Sequence, residues 1–365
     1  MQLRPTDVAQ PKTEFPAARA PTCPRFAPFC PSIAPPNGVC LRLMPELLAA
    51  GVDLGGAKIS AAVVDASGAI LRRIKQPVHK LSFPESVGQI AAMVRTATDE
   101  CAVNPADLSG IGVSVPGIYS SSTGNAWAPR LWGWDQVPLR EALEKALPAP
   151  VFIDGNRAAC VLGEQWLGAA QGLSDVVYLA VGAGIGAGII TGGRLLHGVG
   201  DTAGAVGWFA INPQKKELYK KTGCLEAEAA GPAVARRAAA RIALGERSLI
   251  PGLAGSNPVT AEVVIEAARR GDGVASRVLE DTAAYLAMGI ANLISVLNPE
   301  AIILGGSLME AADLLLEILR REVREWAQPL AASHVRIELS HLGEDAGLLG
   351  AARLPLLARQ PVRAV

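Results

Sequence analysis

The sequence predicts an α/β fold whose pattern is laid down twice, with the two halves flanking a cleft. Three observations carry that expectation. Strand-like and helix-like segments alternate from Met44 onward. A glycine-rich turn occurs in each half, as Gly51-Val-Asp-Leu-Gly-Gly-Ala-Lys58 and as Gly182-Ala-Gly-Ile-Gly-Ala-Gly188. A chain of 365 residues, 50% hydrophobic and 4% aromatic, is long enough for two soluble domains sharing a cleft.

In the first half, Gly51 to Val64 and Ile70 to Pro77 read as paired strands, Glu85 to Val103 as a helix and Gly110 to Val115 as a strand. Val151 to Asp154 is a further strand, followed by a helix over Arg157 to Leu167. The second half repeats the theme. The run Val176 to Val181 is too short and too β-branched for an independent helix, so the glycines after it form a hairpin tip within strands spanning Val176 to Ile190. Helices follow through Ala229 to Ala243, Ala261 to Arg270 and Gly273 to Leu297. Ala301 to Leu304 is continuously apolar, as a strand buried on both faces should be. It ends at Gly305-Gly306, at the carboxyl end of a strand, where open α/β sheets bind ligands.

Residues 1–43 are rich in proline, lack helical or strand periodicity and hold Cys23, Cys30 and Cys40; they read as a disordered extension. Prolines interrupt every apolar run that could serve as a signal peptide, and Met44, just before the glycine-rich strand, is the expected translation start. Cys101, Cys160 and Cys224 are scattered, without disulfide or metal-ligand spacing. Positive and negative charges balance at 34 each, which offers no basic footprint for nucleic acid and no polybasic patch for a membrane surface. No uncharged apolar stretch reaches the about 18 residues of a bilayer span, so a cytoplasmic protein is expected.

Glycines at both tips let backbone N–H groups approach a ligand, and two tips across a cleft would grip the phosphates of a nucleotide. Asp53 and Lys58 add charge where phosphates and Mg²⁺ would lie. Ordinary turn chemistry is the alternative for either loop taken alone.

Five blocks, in order, support a resemblance covering Met44 to Arg353: Gly51 to Lys58; Gly112-Val-Ser-Val-Pro-Gly117; Ala128-Pro-Arg-Leu-Trp-Gly-Trp134; Val181 to Gly188; and Leu297-Asn-Pro-Glu-Ala-Ile-Ile-Leu-Gly-Gly306. Gly223-Cys-Leu-Glu226 and Gly343-Glu-Asp-Ala-Gly-Leu-Leu-Gly-Ala-Ala352 agree with it. The chain resembles the ROK family of glucokinase-like bacterial sugar kinases and sugar-responsive repressors. The resemblance implies an α/β fold of duplicated actin-like (ribonuclease H-like) ATPase domains flanking a cleft. It divides the chain into a first domain over 44–155, joined by a C-terminal helix at about 345–365, and a larger second domain over 156–344. It further implies ATP and Mg²⁺, a sugar-like ligand and a homodimer or tetramer. Asp53, Gly55, Gly56, Lys58, Gly182, Gly184, Gly186, Gly305 and Gly306 are its nucleotide-binding positions.

Departures from the family fall on the chemistry. The family's general base is an Asp, and that position is Asn156 here, an amide that cannot accept the proton of a sugar hydroxyl. Asp154 lies two residues earlier on the same strand face, about 6 to 7 Å upstream; its use as the base would need a two-residue slip that turns the following helix by roughly 200°. Among the sugar-binding positions, Arg130 stands where the family has Asn, Ala205 where it has Glu, and Trp208 where it has His, while Glu226 matches. The family's zinc segment retains only Cys224, so no zinc is expected. Ala57 and Ala183 replace the usual threonines.

Three of these changes, to Asn156, Ala205 and Arg130, move the sugar side toward positive charge. Arg130 would suit a carboxylate or phosphate and Trp208 a stacked ring; the alternative is an Arg130 solvated at the rim of a cleft no longer under selection. An ATP-dependent kinase with altered specificity and a catalytically inactive sugar or nucleotide sensor both remain. Family repressors carry an N-terminal helix-turn-helix, which the proline-rich extension is not expected to form. Glu226 is also an ordinary early-turn residue. His197, His79, His334 and His341 have no partner at metal or triad spacing and read as structural, and Trp127, Trp132 and Trp134 read as cleft packing.

Overall fold

Short runs of small and β-branched residues build two five-stranded sheets of the same order in the computed structural model, which describes residues 47–359 except 57, 79, 80, 130 and 132. In the first, β1 (Ala49–Leu54), β2 (Lys58–Val64) and β3 (Ile70–Pro77) form an antiparallel meander, and β4 (Ile111–Val115) pairs parallel to β1 on its other side. A small hairpin of β5 (Ile118–Tyr119) and β6 (Ala126–Trp127) intervenes before β7 (Val151–Gly155) joins β4 in parallel. The resulting order is β3-β2-β1-β4-β7. β8 (Val176–Val181), β9 (Ile185–Thr191), β10 (Arg194–Leu195), β11 (Ala301–Gly305) and β12 (Arg336–Leu339) repeat it as β10-β9-β8-β11-β12. This repetition is the duplicated actin-like (ribonuclease H-like) ATPase architecture that the sequence led us to expect.

Helices α1 (Phe83–Glu100) and α2 (Leu139–Ala146) pack on the first sheet, and α3 (Asn156–Leu167) follows β7 without a loop. The first core gathers Val52, Ile59, Ile90, Met93 and Val113, with Trp134 set edge-on to Phe83 at 5.3 Å. The second half carries α4 (Tyr219–Thr222), α5 (Cys224–Ala229), α6 (Gly231–Ala243), α7 (Ile250–Ala254), α8 (Ala261–Arg269), α9 (Gly273–Leu297), α10 (Ala312–Trp326) and α11 (Pro329–His334). Its core joins Val177, Leu179, Val234, Ile290, Ile302 and Leu315. Each such side chain contributes roughly 1.5–3 kcal/mol by leaving water.

The last helix, α12 (Ala346–Ala358), returns to the first sheet and crosses α3 at backbone contact. A Cβ on Gly163 would stand 2.3 Å from the carbonyl oxygen of Ala346, and one on Gly350 would stand 1.6 Å from that of Ala159, so both positions exclude a side chain. Glu164, fully buried, fixes the crossing: its carboxylate accepts from Ser340 Oγ, from Leu342 N at 3.1 Å and from Ala169 N at 2.8 Å.

Several boundaries differ from the sequence reading. The strand expected over Gly51 to Val64 is two strands, ending at Leu54 and resuming at Lys58, which pair as a hairpin with Gly55 and Gly56 at its tip. The helix expected from Ala229 to Ala243 divides at Ala230, whose extended backbone (φ −75°, ψ 166°) ends α5 and caps α6, and Pro232 falls in the first turn of α6, where its missing N–H costs no helical bond. The C-terminal helix ends at Ala358 within the described residues. The proline-rich segment 1–43, Met44, Ala57, His79, Trp132 and Arg130 lie outside those residues.

Candidate functional site

The two glycine-rich turns are the tips of equivalent hairpins, β1–β2 and β8–β9. At the first, Gly55 N donates to Lys58 O at 2.9 Å, and the space a Cβ would take on Gly56 is open. Asp53, near the end of β1, accepts from Ser114 Oγ at 2.7 Å. Burial pushes its carboxyl above the usual carboxylate range, against the opposing pull of Ser114 and Lys58. Lys58 is paired with Glu344, which also takes Lys75 at 2.8 Å, and the two ammonium groups hold the Glu344 carboxyl down to about 2.

The second tip borders a cavity of about 440 Å³. Gly182, Ala183, Gly231, Thr260 and Ser307 line it, with Ile265 among its apolar walls. Gly182 N donates to Gly184 O at 3.0 Å, and Gly231 N returns a bond to Gly182 O at 2.8 Å, which ties the start of α6 to the tip. At three of the predicted glycines close neighbours leave no room for a side chain. A Cβ on Gly186 would stand 2.2 Å from Arg157 Nη1, one on Gly305 2.0 Å from the Tyr178 hydroxyl, and one on Gly306 2.4 Å from Val181 O. None of the three lines the cavity.

Asn156 is the first residue of α3, directly after Asp154 and Gly155 at the end of β7. Asp154 Oδ1 accepts from Gly155 N at 2.7 Å, and Oδ2 lies 2.8 Å from His197 Nε2. His197 has no partner at metal or triad spacing in the sequence; its partner in the structure stands 43 residues away and meets it only through the fold. The hydrogen bond to Asp154 and the nearby charges raise the His197 pKa above its ordinary value, against burial. Asp201, in the turn after His197, binds Ser121 N at 2.9 Å and Ser121 Oγ at 3.0 Å. Between these contacts lies a cavity of about 30 Å³ lined by Gly117, Tyr119, Asp154, Arg157 and His197.

Arg157 was not among the predicted site residues. Its guanidinium lies over Gly186 with no hydrogen bond or ion pair among the described residues, and burial depresses its pKa while the charge of Glu226 opposes. Glu226 Oε2 accepts from Ile185 N at 2.7 Å, so the residue predicted to contact sugar also secures the start of β9. Ala205 precedes the short turn Val206–Trp208, and the Trp208 side chain is 56% exposed. No sequence spacing signals Arg157 or His197; the only cue is a basic residue beside a position already singled out.

Cys224 is buried at the start of α5. The segment before it is held by Glu228, which takes Lys216 at 2.6 Å and the Tyr219 hydroxyl, while Arg237 donates to the Glu228 carbonyl at 2.6 Å. Burial and Glu228 push the Tyr219 hydroxyl up to about 12.

A sequence model of the ROK family matches residues 49–357. Glucokinase from Halalkalibacterium halodurans is 33% identical over 307 residues, covering 82% of this chain and 92% of its own length. The xylose repressor of Caldicellulosiruptor bescii is 32% identical over 71% of this chain and 65% of its own. A crystal structure of a ROK family glucokinase from Streptomyces griseus, in complex with glucose and AMPPNP, superposes with a TM-score of 0.69 at 30% identity over 84% of this chain and 98% of that one.

Proposed function

The chain belongs to the ROK family, and from that premise we propose that it is an ATP-dependent sugar kinase with a rebuilt sugar side, taking an acidic or phosphorylated sugar. The observation that carries the reading is the cavity of about 440 Å³ at the Gly182 tip, of a size to take a nucleoside and lined by Gly182, Ala183, Thr260 and Ser307. With the nucleoside there, the phosphates point toward the N–H groups of both hairpin tips. The S. griseus relative, which holds an ATP analogue and glucose together, supports that arrangement.

Asp53 fits a divalent cation: it is a carboxylate that burial disfavours in its charged form, and a bound cation restores the charge. Mg²⁺ held there would offset the charge that develops on the phosphate oxygens during transfer. The chain's own part is positioning. The tips hold the phosphates, α3 presents Asn156 to the sugar, and Glu226 fixes the edge of β9 behind it. Arg157, unpaired in the cleft, supports an anionic substituent on the sugar, and Arg130 would add to it. A cytoplasmic homodimer or tetramer is the form we expect; among the described residues no helix is long and apolar enough to cross a membrane.

The test is mass spectrometry of the full chain with MgATP and a panel of neutral, amino and acidic sugars, glucuronate and a hexose phosphate among them. A phosphorylated acidic sugar is the expected product. No product from any sugar, with ATP binding intact, would favour the second reading, a nucleotide or sugar sensor, for which the Asn156 amide is the specific support.

A further inference from the structure

We propose that Asp154 and His197 act as this chain's general base, His197 taking the proton from the attacking hydroxyl while Asp154 orients it; the proposal rests on the kinase reading above. Asp154 is 14% exposed, at the end of β7, with one carboxylate oxygen committed to Gly155 N and the other to His197 Nε2. A carboxylate only accepts, so Nε2 carries the proton and Nδ1 the free lone pair in neutral imidazole. Nδ1 has no hydrogen-bond partner among the described residues, and the ring is 41% exposed. The cavity of about 30 Å³ beside it has room for a hydroxyl-sized group. Asn156 stands in sequence between two residues of the lining, Gly155 and Arg157, without lining the cavity itself, and its amide has no basic site.

In the step itself, the sugar O–H bond breaks and its proton moves to His197 Nδ1. The oxygen forms the new bond to the γ-phosphorus, and the β–γ bridging P–O bond breaks with its electron pair leaving on ADP. Asp154 stabilises the imidazolium until water takes the proton. Asp154 and Asp201 face His197 and raise its proton affinity. Arg157 and Tyr119 face the same cavity, and burial first, against Arg140, pushes the Tyr119 hydroxyl above its ordinary range. Catalysis should therefore increase as pH rises through the elevated His197 value.

His197→Gln tests this, because glutamine can still donate to Asp154 but cannot take a proton. The expected result is a kcat lowered by about 10²- to 10⁴-fold, an unchanged KM for ATP and loss of the alkaline rise in the pH–rate profile. Adding Asn156→Asp to that variant should recover at least tenfold, by supplying a carboxylate at the vacated role. A His197→Gln protein with wild-type kcat and pH profile overturns the dyad and leaves the kinase reading standing. Wild-type protein that binds ATP by calorimetry and phosphorylates no sugar overturns both.

Discussion

The cavity at the Gly182 tip, the proposed nucleotide side, is lined largely by small and apolar residues such as Gly182, Ala183, Gly231, Ile265 and Ser307, whereas the cavity proposed for the sugar side is lined by the titratable side chains of Asp154, Arg157, His197, Asp201 and Tyr119. The first kind of site tolerates sequence change as long as the turns and the cavity persist. Ala57 and Ala183 can replace hydroxyl residues while the backbone donors stay in place. The second kind changes its chemistry with each substitution, so an altered residue there must be replaced in function by a neighbour that the fold brings close.

The largest effect should come from filling the nucleotide cavity. Ala235 lines it from α6, and Ala235→Trp should weaken ATP binding by at least about 100-fold, or about 2.7 kcal/mol, in titration calorimetry. Binding of an acidic sugar to the other side should change little. Equal loss of both ligands would break the division into two sides.

A smaller effect, confined to the sugar side, should follow Arg157→Ala. Charge-assisted hydrogen bonds are worth about 1.5–3 kcal/mol, so affinity for glucuronate or a hexose phosphate should fall by about 10- to 150-fold. A neutral sugar should lose threefold at most. If neutral and anionic sugars weaken alike, Arg157 supports the cleft wall through its packing on Gly186 and does not read charge.

The same contrast decides what could be read before the structure. Alternation of strands and helices, the two hairpin tips and the apolar run Ala301 to Leu304 are local patterns, and each falls on an element of the fold. The roles given to Gly186, Gly305 and Gly306 required knowing what stands above each Cα, and Arg157, Tyr178 and Val181 are brought there by pairing and crossing across the fold. His197 shows the limit most clearly. Its partner Asp154 was already under consideration, but a hydrogen bond spanning 43 residues leaves no spacing to detect. Glu164 passed unnoticed for the same reason: its partners Ser340 and Leu342 arrive from more than 170 residues away.

The His197–Asp154 pair also sets a modest pH dependence of stability. The folded-state value of His197 is raised, so the contribution is fully present below the unfolded value of about 6.5 and is lost as pH rises through the folded value. His197 is partly exposed, so solvent screening limits the effect to about 1 kcal/mol or less. Comparing denaturation midpoints of wild type and Asp154→Asn across pH 5.5 to 8.5 should show the gap closing toward alkaline pH. A constant gap would mean that Asp154 stabilises through Gly155 alone.

The smallest effect belongs to the charged edge of the first hairpin. Glu344 is held down to about 2 by Lys58 and Lys75, with the opposite sign of linkage: its contribution is present above the ordinary glutamate range and disappears as pH falls from about 4.5 toward about 2. The carboxylate is well exposed, so Glu344→Gln should cost about 0.5 kcal/mol or less at neutral pH, the usual worth of a surface pair. Its value lies in what it does to Lys58. Freed from Glu344, that ammonium can turn toward a triphosphate, and ATP should then bind the variant a few-fold more tightly at low salt. Unchanged ATP affinity would leave Lys58 as an edge residue and assign the first tip's grip on phosphate to the backbone of Gly55 and Gly56 alone, which is the nucleotide side's general rule carried to its end.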